Sequence, residues 1–94
     1  MNAGMVRRMT TEPVPAPAAT VDAMGKACPV PVIMLAKTMR ECTVGDVVEV
    51  RADDTGAKVD IPVWCRMQRQ ELVGVSESED HWTFTVRKLA DEND

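Results

Sequence analysis

Aromatic side chains are almost missing from this chain. Its 94 residues hold two tryptophans, one phenylalanine and no tyrosine. Any core must therefore be filled by Val, Ile, Leu, Met and Ala. Cations are also in deficit, with 11 Lys and Arg against 15 Asp and Glu and a formal net charge of −4. An acidic chain lacks the cationic contacts that hold a phosphate backbone, which argues against direct binding of nucleic acid. No apolar run approaches the ~20 residues that cross a bilayer, so no membrane segment is expected. Arg7-Arg8 is not followed by the apolar stretch of a secretory signal. There are three cysteines and one histidine, and no Cys-x-x-Cys pair. That argues against a metal site or an exported disulfide scaffold and for a reducing, cytoplasmic setting.

What is present is punctuated by proline. Residues 1–19 read as a flexible N-terminal tail, because Glu12-Pro13-Val14-Pro15-Ala16-Pro17 favours extended chain. Residues 20–89 read as one folded domain and 90–94 as a frayed acidic end. Within the domain, 20–23 is a short strand and Gly25 permits a turn. A first helix runs from 29 to about 41, with Val32, Leu35, Ala36 and Met39 at helical period. Residues 47–52 alternate, with Val48, Val50 and Ala52 opposing Glu49 and Arg51, which is a half-buried strand. Asp53-Asp54-Thr55 supplies caps for a second helical segment from about 56 to 70. Pro62 damages a helix interior, so this segment is expected to open loosely and to be capped afresh at Asp60. Strands at 72–76 and 82–87 flank a hairpin turn at 78–80. The order β-α-β-α-β-β implies a parallel pair from the first β-α-β unit and an antiparallel final hairpin. The expected fold is α/β: a two-layer sandwich, with a mixed four-stranded sheet and two helices on one face.

Cys28-Pro29-Val30-Pro31 is the stretch that carries chemistry. Proline is tolerated in a first helical turn and pushes the residue before it into extended conformation. Cys28 then reads as N-cap, Pro29 as N1, Val30 as N2 and Pro31 as N3. A helix N-terminus favours a thiolate. Pro31 has no N–H, so the Val30 N–H is expected to serve the Cys28 sulfur or a second sulfur attached to it. Lys26 adds positive potential nearby. An inert N-cap cysteine is the plainer alternative.

Asp22-Ala23-Met24-Gly25-Lys26-Ala27-Cys28-Pro29-Val30-Pro31 resembles the opening motif of the TusA (SirA-like) sulfur-carrier family. Asp60-Ile61-Pro62-Val63-Trp64-Cys65 resembles its second signature, and the likeness covers residues 20 to 88. The resemblance implies a sandwich like the C-terminal domain of bacterial translation initiation factor three. It implies a carrier that takes sulfur as a Cys28 persulfide and passes it on, with no cofactor beyond that covalent sulfur. It also implies a cysteine desulfurase or rhodanese-type donor and a DsrE-like or other acceptor protein. The routes it feeds would be transfer-RNA thiolation, molybdenum-cofactor synthesis or sulfur oxidation. Thr55 stands where many members carry proline, and Met24 where a basic residue is common.

Other residues keep two readings. Cys65 either packs on a stripe with Ile61 and Trp64 or is a second redox thiol. Cys42 reads as incidental, about a helix length from Cys28. His81, in the hairpin, reads as solvated and remote from Cys28, so no general base is foreseen. Met24, Ile33 and Met34 either form an apolar docking rim or cover the sheet edge. Lys37, Arg40, Arg66 and Arg69 are a basic patch or a solvated face. The competing functions are a regulatory interaction domain and a thiol redox sensor. The default oligomeric state is a monomer.

Overall fold

The alternation at 47–52 is realised as a central strand whose Val48, Val50 and Ala52 are fully buried on one face while Arg51 is exposed on the other. The structure is a computed structural model that describes residues 16–90. Most of the expected N-terminal tail, and residues 91–94 of the expected frayed end, lie outside the described residues. Among those described, the elements are β1 (Ala19–Ala23), α1 (Val30–Arg40), β2 (Val47–Ala52), α2 (Thr55–Met67), β3 (Glu71–Glu77) and β4 (Trp82–Arg87).

The sheet order is β1-β2-β4-β3. β1 and β2 are parallel, with Ala23 opposite Ala52, and α1 crosses between them. β4 runs antiparallel to β2 and to β3, and places Trp82 opposite Ala52. The mixed four-stranded sheet with two helices is the α/β sandwich the sequence implies. Leu35 and Met39 of α1 pack with Ala57, Ile61 and Cys65 of α2 onto Val48, Val50, Phe84 and Val86 of the sheet. One face of the sheet is thereby dry. Burying these side chains at roughly 25 cal/mol per Å² of apolar surface holds the layers together, with Phe84 the one fully buried aromatic among the described residues.

Two polar side chains close the lower end of the molecule. Lys88 is 2% exposed, and its Nζ donates to the Met39 and Cys42 carbonyls at 2.8 and 2.7 Å. The carbonyls at the C-terminus of α1 carry negative potential, which suits a cationic donor there. Gln70 donates from Nε2 to the Ala90 carbonyl at 2.8 Å and accepts from the Leu89 N–H at 2.7 Å. Ala90 is therefore held rather than frayed.

The parallel β1–β2 pair fixes what comes next. Both strands end at the same edge of the sheet, and both helices start there. The loop 24–29 and the segment Asp53–Asp54 are thus neighbours in space although they lie far apart in sequence.

Candidate functional site

Two successive turns carry Cys28. Ala23 to Lys26 form the first, closed by the Lys26 N–H on the Ala23 carbonyl at 3.2 Å. Gly25 occupies its third position with φ +77°, where a side chain would be strained. The Gly25 N–H donates to Asp53 Oδ1 at 3.0 Å, tying this loop to the end of β2. Ala27 to Val30 form the second turn, closed by the Val30 N–H on the Ala27 carbonyl at 2.9 Å, with a cis Cys28–Pro29 peptide at its centre. The helix begins one residue later than its sequence suggests: Pro29 is the N-cap and Pro31 lies in the first turn.

This arrangement corrects the expected donor to the sulfur. The Val30 N–H is spent on Ala27 and does not serve Cys28. The sulfur instead lies against the first turn of α2. Asp54 is the N-cap of that helix and accepts the Gly56 N–H at 3.0 Å. The same Oδ2 also accepts the Cys28 N–H at 3.3 Å. A Cβ built on Gly56 would stand 3.2 Å from Cys28 Cβ and 3.5 Å from its Sγ. Asp60 lies four residues beyond Gly56, so its side chain stacks below the glycine on the same face of the helix.

The electrostatics correct a second expectation. The Cys28 thiol is not acidified. It is pushed from its ordinary 9.0 up to about 11, first by burial, then by hydrogen bonding to and the charge of Asp60, with Asp54 adding to both effects. Burial and the two carboxylates all disfavour the thiolate, opposite to the effect expected of a helix N-terminus. Lys26 is exposed and does not offset them. Two carboxylates thus bear on the thiol, where none was foreseen. The available signal was the Gly56-to-Asp60 spacing behind a capping Asp54.

The other expected site residues differ in exposure. Pro29 is exposed, Val30 is 38% and Ile33 55% exposed, and Met24 is half-buried. Met34 packs against the core and lines a groove of about 380 Å³ between β1 and α1 with Asp22, Thr38 and Glu41. So Ile33 is open to a partner, whereas Met34 covers the sheet edge. Cys28 lies outside that groove and is half-buried against the core. Val59, Val63 and Met67 form an exposed apolar line along α2 that periodicity alone did not assign. Lys37, Arg40, Arg66 and Arg69 are exposed near the C-terminal ends of the two helices, away from Cys28.

His81 sits in the hairpin at the same end of the sheet as Cys28. It is half-buried, and its Nδ1 lies 2.7 Å from Asp80 Oδ1. β1 and β4 are two strand spacings apart there, roughly 10 Å. Cys65 is 2% exposed, and burial pushes its thiol up to about 11. It lies nine residues along α2 from Gly56, a rise of about 13 Å. A disulfide requires Cα atoms within about 7 Å, so the geometry opposes a Cys28–Cys65 bridge. Cys42 lies beyond the far end of α1. Among the described residues no group of three or more His, Cys, Asp or Glu is placed to hold a metal ion, and no helix is long and apolar enough to cross a membrane.

Similarity to known proteins runs through this whole framework. Residues 19–88 match the family described as Sulfurtransferase TusA. The Sulfur carrier protein TusA of Pseudomonas entomophila is 42% identical over 73 residues, covering 78% of this chain and 91% of that one. A protein of Archaeoglobus fulgidus named as a sulfur carrier is 44% identical over 69 residues, covering 73% of this chain and 94% of that one. The crystal structure of a SirA-like protein from Desulfitobacterium hafniense has the same fold, with a TM-score of 0.69 at 24% identity over 77% of this chain and 99% of that one. The matched span starts with β1, contains both helices and the Cys28 turn, and ends at Lys88 after β4, and on that span the chain belongs to the TusA family of sulfur carriers.

Proposed function

We propose that this protein accepts a sulfane sulfur on Cys28 as a persulfide and hands it to an acceptor protein. The observation that carries the proposal is the placement of Cys28. It sits half-exposed on a proline-braced turn whose neighbours Ala27, Pro29 and Val30 are exposed, where a second protein's cysteine can reach it. A persulfide extends the reactive atom by about one S–S bond, ~2.05 Å. Loading is thiol–persulfide exchange, in which the Cys28 sulfur attacks the outer sulfur of the donor and the donor thiol leaves. The donor is proposed to be a cysteine desulfurase or a rhodanese-type protein, and the acceptor a DsrE-like or other thiol protein. The setting is the reducing cytoplasm, and the chain contacts no nucleic acid itself, consistent with its net charge of −4. Transfer-RNA thiolation, molybdenum-cofactor synthesis and sulfur oxidation are the routes such a carrier can feed.

The test is incubation with a cysteine desulfurase and cysteine, or a rhodanese and thiosulfate, followed by intact mass under non-reducing conditions. The wild type is expected to gain the mass of one sulfur atom and lose it on reduction. The Cys28→Ser variant is expected to gain none, while Cys42→Ser and Cys65→Ala still load. Full uptake by Cys28→Ser would refute the assignment.

A further inference from the structure

We infer that Asp60 takes the proton of the Cys28 thiol as sulfur is loaded, and that Asp54 is the positioning residue that holds the cysteine against it. The inference rests on the persulfide-carrier reading and adds to it how the thiol proton moves.

The geometry is specific. Asp54 Oδ2 bonds the N–H of Gly56 at 3.0 Å and that of Cys28 at 3.3 Å, so one oxygen fastens the cysteine backbone to the first turn of α2. With no side chain on Gly56, the Cys28 sulfur approaches the helix surface closely. Asp60 follows Gly56 at i+4 on the helix face the sulfur touches, and its charge bears on the thiol. The charged groups that bear on the sulfur are Asp60 and Asp54, both from α2 and its cap; Asp53 is turned to the Gly25 N–H, and Lys26 on the cysteine's own loop does not offset them. With burial they keep the resting group a thiol, pushed up to about 11. A neutral thiol is a poor nucleophile, so a proton acceptor in contact with it is what the attack requires.

The step balances. The S–H bond of Cys28 breaks and its proton passes to the Asp60 carboxylate as the sulfur forms a bond to the outer sulfur of the donor persulfide. The donor's S–S bond breaks, and its electron pair leaves on the donor sulfur. That thiolate then takes the proton back from Asp60. The sum is Cys28–SH plus R–S–SH giving Cys28–S–SH plus R–SH, with no external oxidant or reductant. Delivery to an acceptor runs the same exchange in reverse, with protonated Asp60 quenching the departing Cys28 sulfur.

The test uses the full chain with two readouts. Alkylation of Cys28 by iodoacetamide is followed against pH, with Cys42 and Cys65 replaced by alanine. Sulfur uptake from cysteine persulfide is followed by intact mass at neutral pH. In Asp60→Asn the alkylation midpoint is expected to fall by about one pH unit or more, so alkylation at neutral pH speeds up. Sulfur uptake is expected to slow by about tenfold or more, because the acceptor is gone. Asp60→Glu keeps a carboxylate and is expected to restore much of the uptake, which a purely structural role would not predict. An unchanged alkylation midpoint in Asp60→Asn overturns the inference. So does uptake that accelerates in step with alkylation, which would make Asp60 only a brake on ionisation. The alkylation arm needs no sulfur, so a wild type that takes up no sulfur counts against the carrier reading while the thiol–carboxylate coupling is still read.

Discussion

At the scale of single residues, Gly56 is valuable for the space it leaves. In an ordinary helix interior, glycine to alanine gains up to about 1 kcal/mol. Here the added Cβ would fall 2.8 Å from Asp54 Oδ2 and 3.2 Å from Cys28 Cβ. That oxygen is the far end of a side chain, yet it is pinned by the N–H groups of Gly56 and Cys28. Displacing it forfeits the helix cap, about 1 kcal/mol, and loosens the cysteine's backbone. Gly56→Ala is therefore expected to destabilise by about 1–2 kcal/mol, read as a lower urea midpoint at unchanged slope. A higher midpoint would mean that Asp54 moves aside without cost. Cys28 was legible in the sequence because two prolines follow it at a helix start. Gly56 was not, because a glycine near a helix start reads as a loose turn until its neighbour across space is known.

At the scale of elements, α2 is where sequence and structure differ most. Pro62 removes the N–H that would bond the Lys58 carbonyl, and the sequence suggested a fresh start at Asp60. The helix instead runs through from Thr55 to Met67 with Pro62 inside it. Ala57, Ile61 and Cys65 are buried on the sheet, and tertiary packing of that stripe carries the turn that proline weakens. Its end is also misleading. The Gln70 N–H reaches the Cys65 carbonyl at 2.8 Å and the Arg69 N–H the Arg66 carbonyl at 3.3 Å, which is a Schellman closure. That closure needs a left-handed residue, and Arg69 supplies it at φ 59° where glycine is usual. Without a glycine the stop is silent in the sequence, and the segment reads on to 70. Arg69→Gly is expected to raise stability by up to about 1 kcal/mol through relief of that backbone strain. A lower thermal midpoint would show that the arginine side chain contributes more than its backbone costs. Strands β2 and β4, by contrast, fall on the residues their alternation marks. A half-buried sheet writes its period directly into the sequence, and a helix terminus does not.

At the scale of the molecule, the parallel pairing of β1 with β2 joins Cys28 to carboxylates 26 and 32 positions later in the chain. Local sequence shows a cysteine at a helix start and suggests an acidic thiol; only the fold buries it in part, brings Asp60 and Asp54 to it and reverses the sign. The reversal has a consequence for the stability of the whole protein. Cys28 and Cys65 are both raised from 9.0 to about 11. Below pH 9 both thiols are protonated in folded and unfolded chains, and their contribution to stability is fully present. As pH rises from 9 toward 11, the unfolded chain releases these protons while the folded one keeps them. Stability therefore falls across that window. Cys65 gives the cleaner test, because it is 2% exposed and burial alone raises it. Its contribution is at most about 2–3 kcal/mol. Urea unfolding under reductant at about pH 8.5 and about pH 10.5 is expected to show a smaller loss of stability in Cys65→Ala than in the wild type. Lysine titration is common to both proteins and cancels in that difference. Equal losses in the two would mean that the buried thiol ionises as readily in the folded chain as in the unfolded one, and that Cys65 takes no part in the alkaline decline.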